Sequence, residues 1–176
     1  MNKAKTLNLA GIVRESIVDG PGIRFAVYCQ GCPHGCPGCH NPQTHPFGEG
    51  KDTQISAIMG EIRKNPLLAG VTFSGGEPFC QPEALLSLAK EVKKSGLDIA
   101  IFTGYTYEEL LEMSTESPAI EGLLSLCDIL IDGRFIKSQR DLSLRFRGSR
   151  NQRIIDVQAT RKKGDIILSP EHLCED

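Results

Sequence analysis

The sequence predicts an α/β fold, a partial and open β/α barrel of about five to six units formed by one domain over residues 1–176. Segments typical of strands alternate with segments typical of helices, which indicates parallel strands joined by right-handed crossovers. The loops with chemically distinctive residues all follow strands, as in parallel folds whose active sites lie at one edge of the sheet. A chain of 176 residues is too short for a complete closed barrel. A doubly wound sheet is the alternative.

The predicted elements follow one another in regular order. Apolar and β-branched runs predict the main strands, at residues 23–29, 70–74, 97–102 and 127–131. Helical spacing of apolar residues and helix-end signals predict the helices, at residues 52–64, 82–95, 106 onwards and 118–126. Two late short strands are expected, at residues 154–157 and 166–168.

Several residues are expected at helix ends. Asp52 or Thr53 would cap the first helix at its amino end. Gly96 would end the second helix just past its last turn. Thr106 and Glu109 form a capping-box pattern for the third helix. These signals set where each helix connects to the sheet.

Three thiols lie in a loop directly after the first predicted strand, those of Cys32, Cys36 and Cys39. Prolines and glycines between them exclude a regular helix or strand, because proline lacks an amide donor and glycine favours tight bends. A structural zinc ion usually has four ligands drawn from two separated pairs. Three cysteines suit an iron-sulfur cubane that keeps one iron open for a substrate or cofactor.

Cys29 could supply a fourth ligand, so a zinc or iron-sulfur binding module without catalysis is a competing class of protein. It ends a predicted strand on which Ile23, Phe25 and Val27 share one face with it. A buried thiol that continues this apolar face is the simpler interpretation, since free cysteine packs as a small hydrophobe. Ligation by three cysteines is therefore the prediction.

A glycine-rich loop, Gly75-Gly76-Glu77, follows the second predicted strand. The glycines carry no side chains that would keep a ligand from the backbone, and Glu77 adds a carboxylate beside them. This arrangement suits an ammonium group. An isolated Gly-Gly-Glu-Pro is better explained as a tight turn, but this one lies one unit after the three cysteines.

The cysteine spacing and the glycine-rich loop together resemble the radical S-adenosylmethionine (SAM) family. In that family SAM binds the open iron of a 4Fe-4S cluster, and the glycine-rich loop holds its amino group. Further segments resemble the activating proteins of anaerobic (class III) ribonucleotide reductase, at residues 18–22, 31–41, 74–78, 102–105, 130–135 and 147–152. These segments extend over most of the chain.

The resemblance implies an oxidoreductase that activates another enzyme. The cluster would reduce SAM, and the resulting 5′-deoxyadenosyl radical would take a hydrogen atom from one glycine of the reductase catalytic subunit. The implied cluster ligands are Cys32, Cys36 and Cys39. The implied SAM-binding residues are Gly38, Cys39, His40, Gly75, Gly76, Glu77, Asp132 and Arg134. Gly38 stands where many radical SAM proteins have an aromatic residue, so the adenine contact is open.

The resemblance also implies partners. A reduced flavodoxin- or ferredoxin-type protein would donate the electron, and the anaerobic ribonucleotide reductase would receive the radical. The competing functions within the radical SAM family are an activase of another glycyl-radical enzyme, such as pyruvate formate-lyase, and a small-molecule radical SAM synthase.

Composition narrows the setting. Seven cysteines, an odd number, favour a reducing compartment over a disulfide framework, and the first residues lack the apolar run of a signal peptide. A cytoplasmic protein is therefore expected. The net charge of -2 gives no general argument for nucleic-acid binding, and no apolar run is long enough to span a bilayer. Neither nucleic acid nor a membrane is an expected partner.

Other reactive or charged residues are given simpler roles. The loop histidines are expected to be exposed to solvent rather than to bind metal, at positions His34, His40 and His45. The remaining cysteines are expected to be structural or incidental, at positions Cys80, Cys127 and Cys174. The segment from residue 134 to residue 153 contains seven basic residues and one acidic residue. It is expected to form either a solvated basic surface or a contact with the reductase.

Overall fold

The computed structural model describes residues 5–172, so Cys174 lies outside the described residues. The strands are Thr6–Ser16 (β1), Arg24–Cys29 (β2), Lys51–Gln54 (β3), Gly70–Gly75 (β4), Asp98–Phe102 (β5), Ile129–Asp132 (β6) and Arg153–Asp156 (β7). The helices are Ile55–Ile62 (α1), Pro82–Lys94 (α2), Tyr107–Ser114 (α3), Pro118–Leu126 (α4) and Val157–Lys163 (α5). No helix within this described range is both long and apolar enough to cross a membrane.

The strands form one open seven-stranded sheet with the order β3-β1-β2-β4-β5-β6-β7. Strands β2, β4, β5 and β6 are parallel neighbours, while β1, β3 and β7 pair antiparallel. Since right-handed crossovers that advance in one direction leave their helices on one face, this order gives a partial barrel. A doubly wound sheet would reverse direction at its middle. The predicted α/β fold with a partial, open barrel is confirmed.

The hydrophobic core lies between the sheet and the helices. Alternate residues of the parallel strands face it, including Phe25, Val27, Phe73 and Ile101, each at most 1% exposed. Burying one such side chain contributes about 1.5–3 kcal/mol, so this layer dominates the stability of the sheet. Cys29 is fully buried in the same layer, as the simpler interpretation of its strand position predicted.

The other face of the sheet is here called the open face, and none of the helices α1 to α5 of the described residues packs against it along the parallel strands. Arg24 lies on this face and is fully buried although it carries a charge. The Arg24 guanidinium donates to Asp98 Oδ1 (2.6 Å), Thr72 Oγ1 (2.6 Å) and the Val71 carbonyl oxygen (3.0 Å). It also donates to the carbonyl oxygen of Pro21 at 3.1 Å. The turn around Pro21 therefore closes one end of the open face.

Some sequence predictions of the element ends are correct and others are wrong. Gly96 lies just past α2 with φ +77°, and Thr106 and Glu109 form the expected capping box of α3. The first helix is not capped by Asp52 or Thr53, because both lie in β3 and Gln54 precedes the helix.

The edges of the sheet also differ from the prediction. Strands β1 and β3 were not predicted, since β1 mixes glycine and charged residues with apolar ones and β3 is a short polar edge. The expected strand at 166–168 is reduced to one bridge between Ile155 and Leu168.

Candidate active site

The exit loops of the four parallel strands meet at one edge of the sheet. A cavity of about 130 Å³, here called the thiol cavity, is lined by residues from all four loops. Its lining includes Cys32, Cys36, Cys39, Gly75, Gly76 and Gly104. The structure therefore brings the three predicted cluster ligands and the glycine-rich loop to one place.

The cysteine loop is irregular, as its composition predicts. Gly35 and Gly38 both have positive φ, of +57° and +77°, which L side chains rarely adopt. The Cys39 amide donates to the Cys36 carbonyl oxygen at 3.1 Å, and the Cys32 amide donates to the His45 carbonyl oxygen at 3.0 Å. These bonds hold the three thiols around the cavity while their side chains stay partly exposed.

The three thiols fit an iron-sulfur cluster. Between residues 5 and 172, no group of three or more His, Cys, Asp or Glu side chains is arranged to hold a single metal ion. A cubane is larger than one ion and is held by thiolates around its outside, which is what three thiols lining one cavity provide. Cys29 does not line this cavity, and burial raises the pKa of its thiol well above the ordinary value.

Gly75 and Gly76 allow close backbone packing, Gly75 against the end of β2 and Gly76 against the loop that follows β2. A Cβ on Gly76 would lie 2.4 Å from the Gly31 carbonyl oxygen and 3.0 Å from that of Thr44. Gly75 has φ +92°, and its Cβ would lie 2.7 Å from the Cys29 backbone. The sequence prediction assigned these glycines to ligand access, which stays a prediction. The structure adds a packing role, because both glycines lie close to other backbone segments.

A Gly76→Val protein is therefore expected to lose most of its iron as well as its SAM binding. The valine side chain would push the base of the cysteine loop away, at a cost of about 1–3 kcal/mol. Iron content after anaerobic reconstitution and SAM binding by equilibrium dialysis measure the two effects. Gly60→Ala in α1 is the control, because a Cβ there meets nothing within 4 Å. Full iron content in Gly76→Val would contradict the packing role.

Glu77 is fully buried, and its carboxylate is occupied by donors from the protein. Its Oε1 accepts from the Phe79 amide at 3.0 Å and from Thr103 Oγ1 at 2.9 Å. Its Oε2 accepts from the Gly104 amide at 2.9 Å and lies 2.7 Å from His34 Nε2. A carboxylate accepts about four hydrogen bonds, so Glu77 is filled without a ligand ammonium group.

The His34 side chain is buried, contrary to the expectation of an exposed loop histidine, since only 4% of it is exposed. Arg134 Nε lies 3.2 Å from His34 Nδ1. Because a guanidinium can only donate, Nδ1 accepts, and Nε2 carries the proton that it donates to Glu77. The other two loop histidines differ: His40 is exposed and packs near Phe135, with ring centroids 5.3 Å apart, and His45 is half-buried.

Asp132 and Arg134 lie beside the thiol cavity rather than in it. They line a neighbouring cavity of about 720 Å³, together with His34 and Cys36. Asp132 is 1% exposed, and its two carboxylate oxygens accept from Arg153 at 3.0 and 2.5 Å. This pairing, with a further contribution from Glu108, raises the pKa of Arg153.

Cys39 and His40 face a third cavity, on the open face. It has a volume of about 480 Å³ and is also lined by Tyr28, Ser74 and Phe102. Tyr28 donates to Asp19 Oδ2 at 2.8 Å. The sequence prediction did not assign these three residues to the site. Tyr28 and Ser74 are paired positions on β2 and β4, and the alternation along β2 could have shown that Tyr28 faces away from the core. Gly38 lines none of the three cavities, and its Cβ would face Lys137 and Phe135.

Several residues of the basic segment at 134–153 are paired within the protein. Arg145 lies 3.0 Å from Glu171, and Arg150 lies 2.8 Å from Asp141. Hydrogen bonds from Ser143 and Arg150 lower the pKa of Asp141 to about 2. Arg153 is held by Asp132, so the segment is less available to a partner than its composition suggests.

Comparison with known proteins identifies the class first. A family model described as a 4Fe-4S single cluster domain matches residues 18–155, which contain the three thiols of the cavity. The chain is thus a protein of the 4Fe-4S single cluster domain class.

Similar proteins then identify the family. Anaerobic ribonucleoside-triphosphate reductase-activating proteins are 34% identical in Escherichia coli K12 over 147 residues, and 34% in Haemophilus influenzae over 144 residues. These matches cover 77% of this chain and 90% and 89% of those proteins. The chain therefore belongs to the family of anaerobic ribonucleoside-triphosphate reductase-activating proteins.

Two other similarities are more partial. The pyruvate formate-lyase-activating enzyme of Clostridium pasteurianum is 43% identical over 105 residues, which is 54% of this chain and 44% of that enzyme. The crystal structure of QueE from Escherichia coli aligns with a TM-score of 0.48 and 21% identity, over 57% of this chain and 53% of that one.

Proposed function

We propose that this protein is a radical SAM enzyme that places a glycyl radical on anaerobic ribonucleoside-triphosphate reductase. The observation that carries the proposal is the thiol cavity, where Cys32, Cys36 and Cys39 lie against the Gly75-Gly76 backbone. Three thiolates leave one iron of a 4Fe-4S cluster without a protein ligand. Family membership supports the same function.

The residues around the cavity have different proposed roles. A 4Fe-4S cluster held there would supply the one electron for reductive cleavage of SAM, the source of the radical that would be passed to the partner's glycine. The three cysteines hold the cluster. Gly38, Cys39, His40, Gly75 and Gly76 are the proposed SAM contacts. Because the Glu77 carboxylate is filled, backbone carbonyl oxygens of the glycine-rich loop would accept from the ammonium group.

The open face is the proposed approach for the glycine of the reductase. Its cavity adjoins Cys39 and is lined by Tyr28, Ser74 and Phe102, and none of its lining residues belongs to any of the helices α1 to α5 of the described part of the chain. A glycine in a partner protein is part of a chain, so it needs an approach that is wider than a small-molecule channel. Asp132 and Arg134 would act from the neighbouring cavity, through contacts with other residues of the protein.

The competing partner is pyruvate formate-lyase. The Clostridium pasteurianum activase is more identical in the matched part, but this chain covers only 44% of it. The reductase activases are covered along about nine tenths of their length, which favours the reductase. We further propose a single domain over residues 1–176, a cytoplasmic location, and a reduced flavodoxin- or ferredoxin-type donor, with neither nucleic acid nor a membrane as partner.

The function is tested by electron spin resonance on anaerobic mixtures of reduced protein, SAM and an anaerobic ribonucleotide reductase. A doublet signal on the reductase is expected, because a deoxyadenosyl radical is far more reactive than a backbone-stabilised glycyl radical. Deuterium at the glycine α-position should collapse the doublet. A parallel mixture with pyruvate formate-lyase tests the competing partner. Normal SAM cleavage with no radical on the reductase would contradict the assignment.

A further inference from the structure

One chain of hydrogen bonds crosses the exit loops of all four parallel strands. It runs from Arg134, after β6, to His34 in the cysteine loop after β2, and from His34 to Glu77 after β4. Thr103 and the Gly104 amide, after β5, complete it by donating to the same carboxylate. These loops are far apart in sequence, so the chain of hydrogen bonds fixes their relative positions.

His34 is the link that connects the cysteine loop to this chain. In the sequence, His34 stands between the proposed cluster ligands Cys32 and Cys36. Its side chain is almost fully buried. The ring also packs edge-on against Tyr105, with centroids 4.6 Å apart. A Cβ on Gly104 would lie 2.3 Å from the ring, so Gly104 leaves the space that the ring occupies. The surrounding residues therefore allow the ring little freedom of position.

The donor-to-acceptor direction of these linked hydrogen bonds is determined by the residues at their two ends. Arg134 donates at one end and Glu77 accepts at the other, so His34 must accept at Nδ1 and donate at Nε2. Glu77 has no exposed surface and depends on its donors for the stability of its charge. Removing the His34 donor would leave this buried carboxylate one hydrogen bond short.

We propose that His34 is a positioning residue that holds the cysteine loop against the glycine-rich loop. It would thereby set the distance between the open iron of the cluster and the SAM amino-acid site, an inference that rests on the proposed function. Groups that orient metal ligands through hydrogen bonds commonly affect metal affinity or activity by about 10- to 100-fold, and we expect a change of similar size in SAM binding here. Arg134 acts through His34 in this arrangement and needs no direct contact with SAM.

The first experiment compares His34→Ala with His34→Gln in the whole protein. The alanine protein should keep its iron, because the three cysteines remain, but bind SAM about 10- to 100-fold more weakly. Glutamine can still donate to Glu77, so its SAM affinity should stay within about threefold of the unmodified protein. SAM affinity is read from the change in the spin-resonance spectrum of the reduced cluster during a SAM titration.

A second measurement uses the protein without its cluster. Amide hydrogen exchange at residues 31–39 should be faster in His34→Ala than in the unmodified protein, and close to normal in His34→Gln. This measurement reports on the loop directly, independently of cluster loading, SAM chemistry or the reductase. Unchanged exchange together with SAM affinity within about twofold would overturn the proposal.

A double-mutant cycle tests whether Arg134 acts through His34. If it does, the single substitution Arg134→Ala should weaken SAM binding. The same substitution should cause no further loss in a protein that already carries His34→Ala. Fully additive effects would instead show a direct contact between Arg134 and SAM, and would overturn the linked arrangement. Arg140→Ala, an exposed arginine of the same segment, is the control and should bind SAM normally.

The outcomes separate this proposal from the proposed function. Loss of iron in His34→Ala as complete as in Cys36→Ala would show that His34 holds the cluster rather than positions it, and would overturn the positioning role. Failure to activate a reductase would contradict the partner assignment and leave these binding and exchange results unaffected. If a His34→Ala protein binds SAM normally and activates the reductase normally, the positioning role of His34 is overturned and the partner assignment stands.

Discussion

A Cys36→Ala protein is expected to hold no stable 4Fe-4S cluster after anaerobic reconstitution. The thiol cavity has three cysteine side chains, and a cubane held by only two thiolates would lose most of its attachment. The same result is expected for Cys32→Ala and Cys39→Ala. Iron and sulfide analysis, with the visible absorption of the cluster, measures the loss. SAM cleavage should disappear with the cluster.

Cys29→Ala is the matched control for these substitutions. Cys29 is fully buried in the core and does not line the thiol cavity. Its replacement should leave the cluster in place and lower the free energy of unfolding by about 1 kcal/mol, the cost of a small cavity. Loss of iron in Cys29→Ala as complete as in Cys36→Ala would refute ligation by three cysteines.

Arg24→Ala is expected to lower the free energy of unfolding by about 3 kcal/mol, near the lower end of the range for breaking a buried ion pair. Arg24 is fully buried, while the Asp98 side chain is 40% exposed. After the substitution, water can therefore solvate the Asp98 carboxylate, but it cannot reach the buried acceptors of Arg24. The acceptors at Thr72, Val71 and Pro21 would each lose a donor. The midpoint of urea unfolding, at constant slope, measures the change.

Arg14→Ala provides the comparison. Arg14 also forms an ion pair, with Glu61 at 2.7 Å, but its side chain is 65% exposed. Exposed pairs contribute about 0–1 kcal/mol, so this substitution should change the midpoint little. Equal effects of Arg14→Ala and Arg24→Ala would contradict a structural role for the buried guanidinium.

The parallel centre of the fold could be predicted because its strands are short apolar runs between clear turn and helix signals. Residues 70–74 and 127–131 carry this pattern, and both lie in or beside observed strands. The edge strands could not be predicted in this way. Residues 51–54 are polar, and only their pairing with β1 makes them a strand.

The three thiols that line the cavity could be selected from the sequence, but the contacts that support the site could not. Cysteine spacing is a local property, so the three thiols could be selected from sequence. The environment of Glu77 depends on donors from three loops, the most distant of them His34, 43 residues away in sequence. The same limit explains why His34 was expected at the surface: a loop histidine has no local signal of burial.

The open sheet also affects the solubility of the protein. A closed barrel has no free strand edges, whereas a partial barrel has two, and unpaired edges can recruit strands from other molecules and promote aggregation. At one edge, β3 has only four residues and includes Lys51 and Asp52, which makes it a poor template. At the other edge, the Asp156 amide donates to the Ile167 carbonyl oxygen, and the Ser169 amide donates to that of Ile154. The chain thus occupies its own second edge, and neither β3 nor β7 offers a long unpaired strand for aggregation.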